Sequence, residues 1–129
     1  MKKLFIFGLL VINLFAYTQQ EKNEVRSEKF LMNIANSLNK TLPMRLDKYT
    51  ILNNVYVSKA NINYVYMTNV TPKIFNKIKN KLKYKITSSI CNIKNIKLFL
   101  DAGIVITYKY YDTNAHFLGK FNIVKKDCQ

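Results

Sequence analysis

Two cysteines, one histidine and seven carboxylates are the residues of this 129-residue chain that could carry out chemistry. Cys91 and Cys128 stand 37 positions apart, without the CxxC spacing of redox-active or zinc-binding pairs. His116 is the single imidazole. A nucleophilic site would need an activated hydroxyl or thiol beside it and an acid to orient it. Asp112 is near in sequence, but no Ser or Thr stands in a strained elbow context, so His116 reads as an exposed turn residue. Glycoside hydrolysis needs two carboxylates in opposed environments. Glu21, Glu24 and Glu28 lie near the N-terminus, and no spacing singles out two of Asp47, Asp101, Asp112 and Asp127. The sequence therefore predicts no catalytic residues, no metal site and no small-molecule cofactor.

Charge is the second source of chemistry. Lys and Arg total 21 against 7 acids, a formal charge of +14. Between Asp47 and Asp101 lie ten Lys and no carboxylate, and six of them fall between 73 and 85. A helix there would raise the local anion concentration, with Lys73, Lys77, Lys81 and Lys85 as candidate anion-binding residues. Against this, Lys, Asn and Ile make up 49 residues and Arg only two. A phosphate-reading surface favours the bidentate fork of Arg. Part of the charge is thus compositional background. Tyr108, Lys109, Tyr110 and Tyr111 interleave rings with charge, as single-strand nucleic-acid platforms do. Half-buried Tyr is also ordinary in a pleated sheet, and that reading is preferred.

The N-terminus predicts export. Met1-Lys2-Lys3 precedes thirteen mostly apolar residues ending at Ala16, then polar Tyr17-Thr18-Gln19-Gln20-Glu21. That is the pattern of a signal peptide over residues 1–16, too short to span a bilayer, which takes about 20 residues. Residues 17–26 read as a flexible tail and 27–129 as one domain. The expected location is the periplasm, with secretion as second choice. The exported chain from residue 17 keeps 19 cations against 7 acids, a charge of +12. In an oxidising compartment Cys91 and Cys128 form a disulfide.

The elements follow from periodicity. Phe30, Leu31, Ile34, Ala35 and Leu38 recur at helical spacing behind the N-cap Ser27, and Pro43 ends the segment. Tyr49–Val57 and Ile62–Thr68 are rich in β-branched and aromatic residues and predict an antiparallel hairpin. Thr71-Pro72 opens a helix with a buried stripe of Ile74, Phe75, Ile78, Leu82 and Ile86. Thr87-Ser88-Ser89 is expected to break it, starting a second helix through Ile90, Cys91, Ile96 and Leu100 that stops at Gly103. A last hairpin pairs 104–111 with 117–124 around the turn 112–116. The prediction is an α+β domain: an N-terminal helix, two antiparallel β-hairpins forming a four-stranded sheet, and two central helices packed on one face.

Several of these segments together resemble a class of small periplasmic proteins of Gram-negative bacteria whose role is mostly undefined. They are Leu42-Pro43, Asp47, Thr50 and Leu52, Tyr64-Val65-Tyr66, Cys91, Leu100-Asp101-Ala102-Gly103, Tyr108 to Asp112, and Asp127-Cys128. The resemblance spans roughly residues 40–128 and implies fold and compartment; it carries no catalytic residue. Those proteins tend to have Gly in the last turn, where this chain has Ala115-His116.

The expected function is that of a small non-enzymatic periplasmic or secreted binding protein. It would act through protein–protein contact as an inhibitor, an immunity-type protector or an accessory of an envelope complex, with its partner in the cell envelope. The alternative is a binder of an anionic polymer or membrane surface (nucleic acid, lipopolysaccharide or acidic lipid) through the Lys-rich helix 73–85.

Overall fold

A computed structural model describes residues 27–129, so the expected signal peptide and tail lie outside the described residues. Helix α1 (Glu28–Asn39) begins as expected: the Ser27 hydroxyl accepts from the Phe30 N–H at 3.1 Å. It buries Leu31, Ile34, Ala35 and Leu38. Its last residue does a second job. The Asn39 amide donates to the Val55 carbonyl at 2.6 Å and accepts from the Val55 N–H at 2.9 Å. That fork satisfies edge groups of the strand beside it, which would otherwise invite pairing with another chain.

Strands β1 (Met44–Arg45), β2 (Thr50–Ser58) and β3 (Asn61–Thr68) follow, and β2 pairs with β3 antiparallel, with a register shift between Leu52 and Asn54. The two-residue strand β1 falls in what the sequence pattern marks as a connection; it pairs only with Leu52 and Ile51. Then come α2 (Pro72–Cys91), α3 (Lys94–Asp101), β4 (Val105–Asp112) and β5 (Phe117–Ile123), with a one-turn helix at Lys125–Cys128.

Two sequence expectations need correction. The sheet is five-stranded and mixed, in the order β1-β2-β3-β4-β5, and is not a four-stranded antiparallel sheet. The hairpins themselves are present, but β4 joins β3 in parallel, from Asn61 opposite Val105 to Thr68 opposite Asp112. The physical reason is the connection: a crossover through α2 and α3 carries the chain back to the end where β3 began. Nor does α2 break at Thr87-Ser88-Ser89. The Thr87 and Ser89 hydroxyls donate to the Lys83 and Lys85 carbonyls at 2.7 and 2.9 Å, so these residues bond back within the helix. The interruption comes at Asn92-Ile93, and α3 starts at Lys94.

One face of the sheet and all three helices enclose a single core. Its centre is a row of rings. Tyr64 stacks on Tyr108 at 5.5 Å, Tyr66 on Tyr110 at 4.8 Å, and Tyr108 on Phe121 at 5.4 Å. Burial pushes the Tyr64 hydroxyl up to about 12 and raises Tyr66 and Tyr108 as well, so these phenols stay neutral.

The ends of α3 and β4 show how local residues set the path. Gly103 takes φ 89°, its N–H bonds the Leu100 carbonyl at 2.9 Å, and the Ile104 N–H bonds the Phe99 carbonyl at 3.1 Å. This is a Schellman stop, and glycine suits it because a Cβ crowds the left-handed region. The same demand falls on Ala115, at φ 65°, in the turn after β4. Ala115→Gly is expected to raise stability by about 0.5–1 kcal/mol, the relief of left-handed strain less the entropy of the freer unfolded chain. The check is a higher urea midpoint at unchanged slope.

Candidate functional site

Helix α2 decides which surfaces are open. Thr71 caps it by accepting from the Ile74 N–H at 3.2 Å, and Pro72 sets its first turn. At about 100° per residue, Phe75, Leu82, Ile86 and Ile90 fall within an arc of about 80°. Ile78 and Ile74 lie about 40° and 80° beyond the edge of that arc. Both were expected in the buried stripe; instead Ile74 is 47 % exposed and Ile78 40 %. Tyr49, in the turn just before β2, is 51 % exposed. Tyr49 and Ile78 border a groove of about 170 Å³ between α2 and the turn before β2, and Ile74 lies outside its lining. Phe75, Ile78, Leu82 and Val70 form its walls, with Thr50, Thr68 and Tyr110 beneath and Asp47 at one end. Asp47 is fixed there by accepting from the Tyr49 N–H at 2.8 Å. Burial, then the Asp47 charge, pushes the Tyr110 hydroxyl well up, so it remains protonated.

The four candidate anion-binding residues Lys73, Lys77, Lys81 and Lys85 are all exposed. They spread over about 120° of the helix circumference, on the side away from the sheet. Among the described residues no Lys ammonium group pairs with a carboxylate; the one close contact of a basic side chain with a carboxylate is His116 Nδ1 with Asp112, at 3.4 Å. A second set of lysines does converge. Lys79 and Lys83, which α2 turns toward the sheet, meet Lys120 of β5 around a cleft of about 390 Å³ floored by Phe75 and Phe121. Sequence reading groups lysines by their four-residue spacing and so misses this set, because Lys120 is remote in the chain.

Cys91 and Cys128 are joined in a disulfide with Cα atoms 5.3 Å apart, tying the end of α2 to the turn after β5. His116 is exposed in its turn. Asp112 accepts from the backbone N–H groups of Asn114 and His116, both at 2.9 Å, and the bond from His116 is the main cause holding its carboxyl below the usual range. Tyr108 and Tyr110 are buried in the ring row, so they offer no stacking platform; Lys109 and Tyr111 face the other side of the sheet. Among the described residues no group of three or more His, Cys, Asp or Glu is placed to hold a metal ion. Among them, too, no helix is long and apolar enough to cross a membrane.

Helices on one face of a mixed five-stranded sheet place the molecule in an architecture shared with solved bacterial proteins. One, from Pseudomonas aeruginosa, is described as a candidate secreted protein; it superposes with a TM-score of 0.73 at 11% identity over 88% of this chain and 100% of its own. The pilotin EpsS of the Vibrio vulnificus type 2 secretion system gives 0.68 at 18% identity, covering 87% and 98% of the two chains. The type 2 secretion pilotin AspS of Vibrio cholerae gives 0.62 at 18% identity, covering 84% and 96%. At these identities the likeness is one of fold. The chain belongs to the family described as a domain of unknown function, DUF8479, whose model matches residues 24–118. No curated protein sequence matches it.

Proposed function

We propose that this chain is an exported, non-enzymatic accessory of the bacterial cell envelope that docks a segment of a partner protein in the groove between α2 and the turn before β2. The carrying observation is Ile78, a large apolar side chain left open on the wall of a groove, with Ile74, one helical turn before it, exposed as well. Lys81 and Lys85 lie about one and two turns beyond Ile78 on the helix surface, so the segment that fits is apolar on the face it presents and acidic at that margin. Export is supported by the pattern of residues 1–16 and by a disulfide that belongs in an oxidising compartment. The fold shared with two secretion-system pilotins supports an envelope role of this kind.

The test is Ile78→Asp. At a half-open position it is expected to change stability by less than about 0.5 kcal/mol. It places a charge against an apolar partner and should weaken capture of that partner at least about tenfold. Unchanged capture by a folded variant contradicts the proposal.

A second reading is favoured by one observation, the absence of any acidic partner for the exposed lysines of α2 among the described residues. In it, Lys73, Lys77, Lys81 and Lys85 hold an anionic polymer or membrane surface. Replacing all four by Gln should then flatten the salt dependence of binding to nucleic acid or acidic vesicles, by about one unit of log–log slope for each phosphate no longer neutralised. A slope unaltered by the substitutions removes this reading.

A further inference from the structure

The two edges of the sheet are treated differently. At one edge, β1 and the Asn39 fork cover the backbone of β2. At the other, β5 runs seven residues with β4 as its one strand neighbour, and among the described residues no backbone bond outside that ladder reaches 117–123. Side chains alternate along a strand, so Lys120 and Asn122 leave one face and Phe121 the other. The cleft of about 390 Å³ touches all three and also Lys79 and Lys83 of α2. A space bounded by both faces of an edge strand and by the helix above it lies along the strand's free edge. A protein that leaves such an edge open is presenting a row of unpaired N–H and C=O groups to another chain.

We infer that this edge receives an extended, acidic peptide segment, which adds to the sheet as a sixth strand beside β5. Strand addition supplies main-chain hydrogen bonds, and pockets for alternate side chains supply choice. On the helix side an incoming apolar residue meets the rings of Phe75 and Phe121. The cations around the cleft are Lys79 and Lys83 on the helix side and Lys120 on the opposite face, with no acid lining the cleft to compete for an incoming carboxylate. A second copy of this chain is a poor occupant, because edge-to-edge pairing would bring Lys120 and Lys79 against their own equivalents. This site is separate from the groove at Ile78, on the other side of Phe75, and the inference stands without it.

The experiment uses the full chain, labelled with nitrogen-15, and two end-blocked peptides matched in length to β5, one alternating Glu with Val and one alternating Lys with Val. The Glu–Val peptide is expected to slow amide exchange of the outward N–H groups of Phe117–Ile123, and the Lys–Val peptide to leave them unchanged. Lys79→Glu/Lys83→Glu/Lys120→Glu should weaken the first peptide at least about tenfold, while Ile78→Asp leaves its binding intact. Three results overturn the inference: no protection of β5, perturbation of the lysines alone as by a free anion, or protection that grows with protein concentration when no peptide is present.

Discussion

The double variant Cys91→Ser/Cys128→Ser is expected to lose about 3–4 kcal/mol of stability, the entropy that a cross-link closing a loop of this length removes from the unfolded chain. The bridge spans 37 positions and joins the last residue of α2 to the turn at 125–128. That turn buries none of its own residues fully and is held by the bond, by contacts to α2 and α3, and by the Asp127 carboxylate, which accepts from the Val124 N–H at 2.8 Å. Small domains have only about 5–15 kcal/mol in total, so the variant stays folded with a much reduced margin. The check is the urea midpoint, read with its slope, for parent and variant. A fall of under about 1 kcal/mol would mean that packing alone positions the C-terminal turn.

Phe75→Ala is expected to cost about 3–5 kcal/mol, the range for emptying a buried aromatic site. Phe75 is 1 % exposed, packs on Tyr110 at 5.2 Å between centroids, and separates the two clefts of the molecule. Its seat depends on Gly119: a Cβ there would stand 2.9 Å from the Phe75 ring. Gly119→Ala is therefore expected to cost about 1–3 kcal/mol through overpacking. Gly119→Ala combined with Phe75→Leu should cost less than the sum of the two single changes, because the smaller side chain vacates the space the methyl needs. Additive costs, measured by urea unfolding of all three variants, would show that the two residues do not share that space. Phe75→Ala should also open the groove and the edge cleft into one another.

Local signals in the chain carry the element starts and stops. Ser27, Thr71-Pro72 and Gly103 each act where their side chain, ring or lack of a Cβ has a neighbour within a few positions. The disulfide is legible from cysteine count and compartment. What is not legible depends on contacts between distant segments. The parallel join of β3 to β4 follows from where the α2–α3 crossover returns, which no residue of either strand encodes. Thr87 and Ser89 read as breakers because their back-bonding to Lys83 and Lys85 keeps them helical without leaving a pattern in sequence. Ile74 and Ile78 share the helical spacing of a core stripe, yet only the arc from Phe75 to Ile90 is covered. Ile78, just outside that arc, lines the groove, and Ile74, farther out, does not. The Ile74–Ile78 pair is visible in the sequence as apolar, and its exposure only in the fold.

The proposed docking place for a partner protein is the groove beside α2. Site-specific photo-crosslinking in the producing cell, with the reactive group placed in turn at Tyr49, Ile78 and Tyr84, tests it most directly. Tyr49 and Ile78 both line the groove, whereas Tyr84 is 72 % exposed and takes no part in it. Positions 49 and 78 are expected to label one and the same protein, and position 84 is expected not to label it. Equal labelling from position 84, or none from 49 and 78, would contradict it.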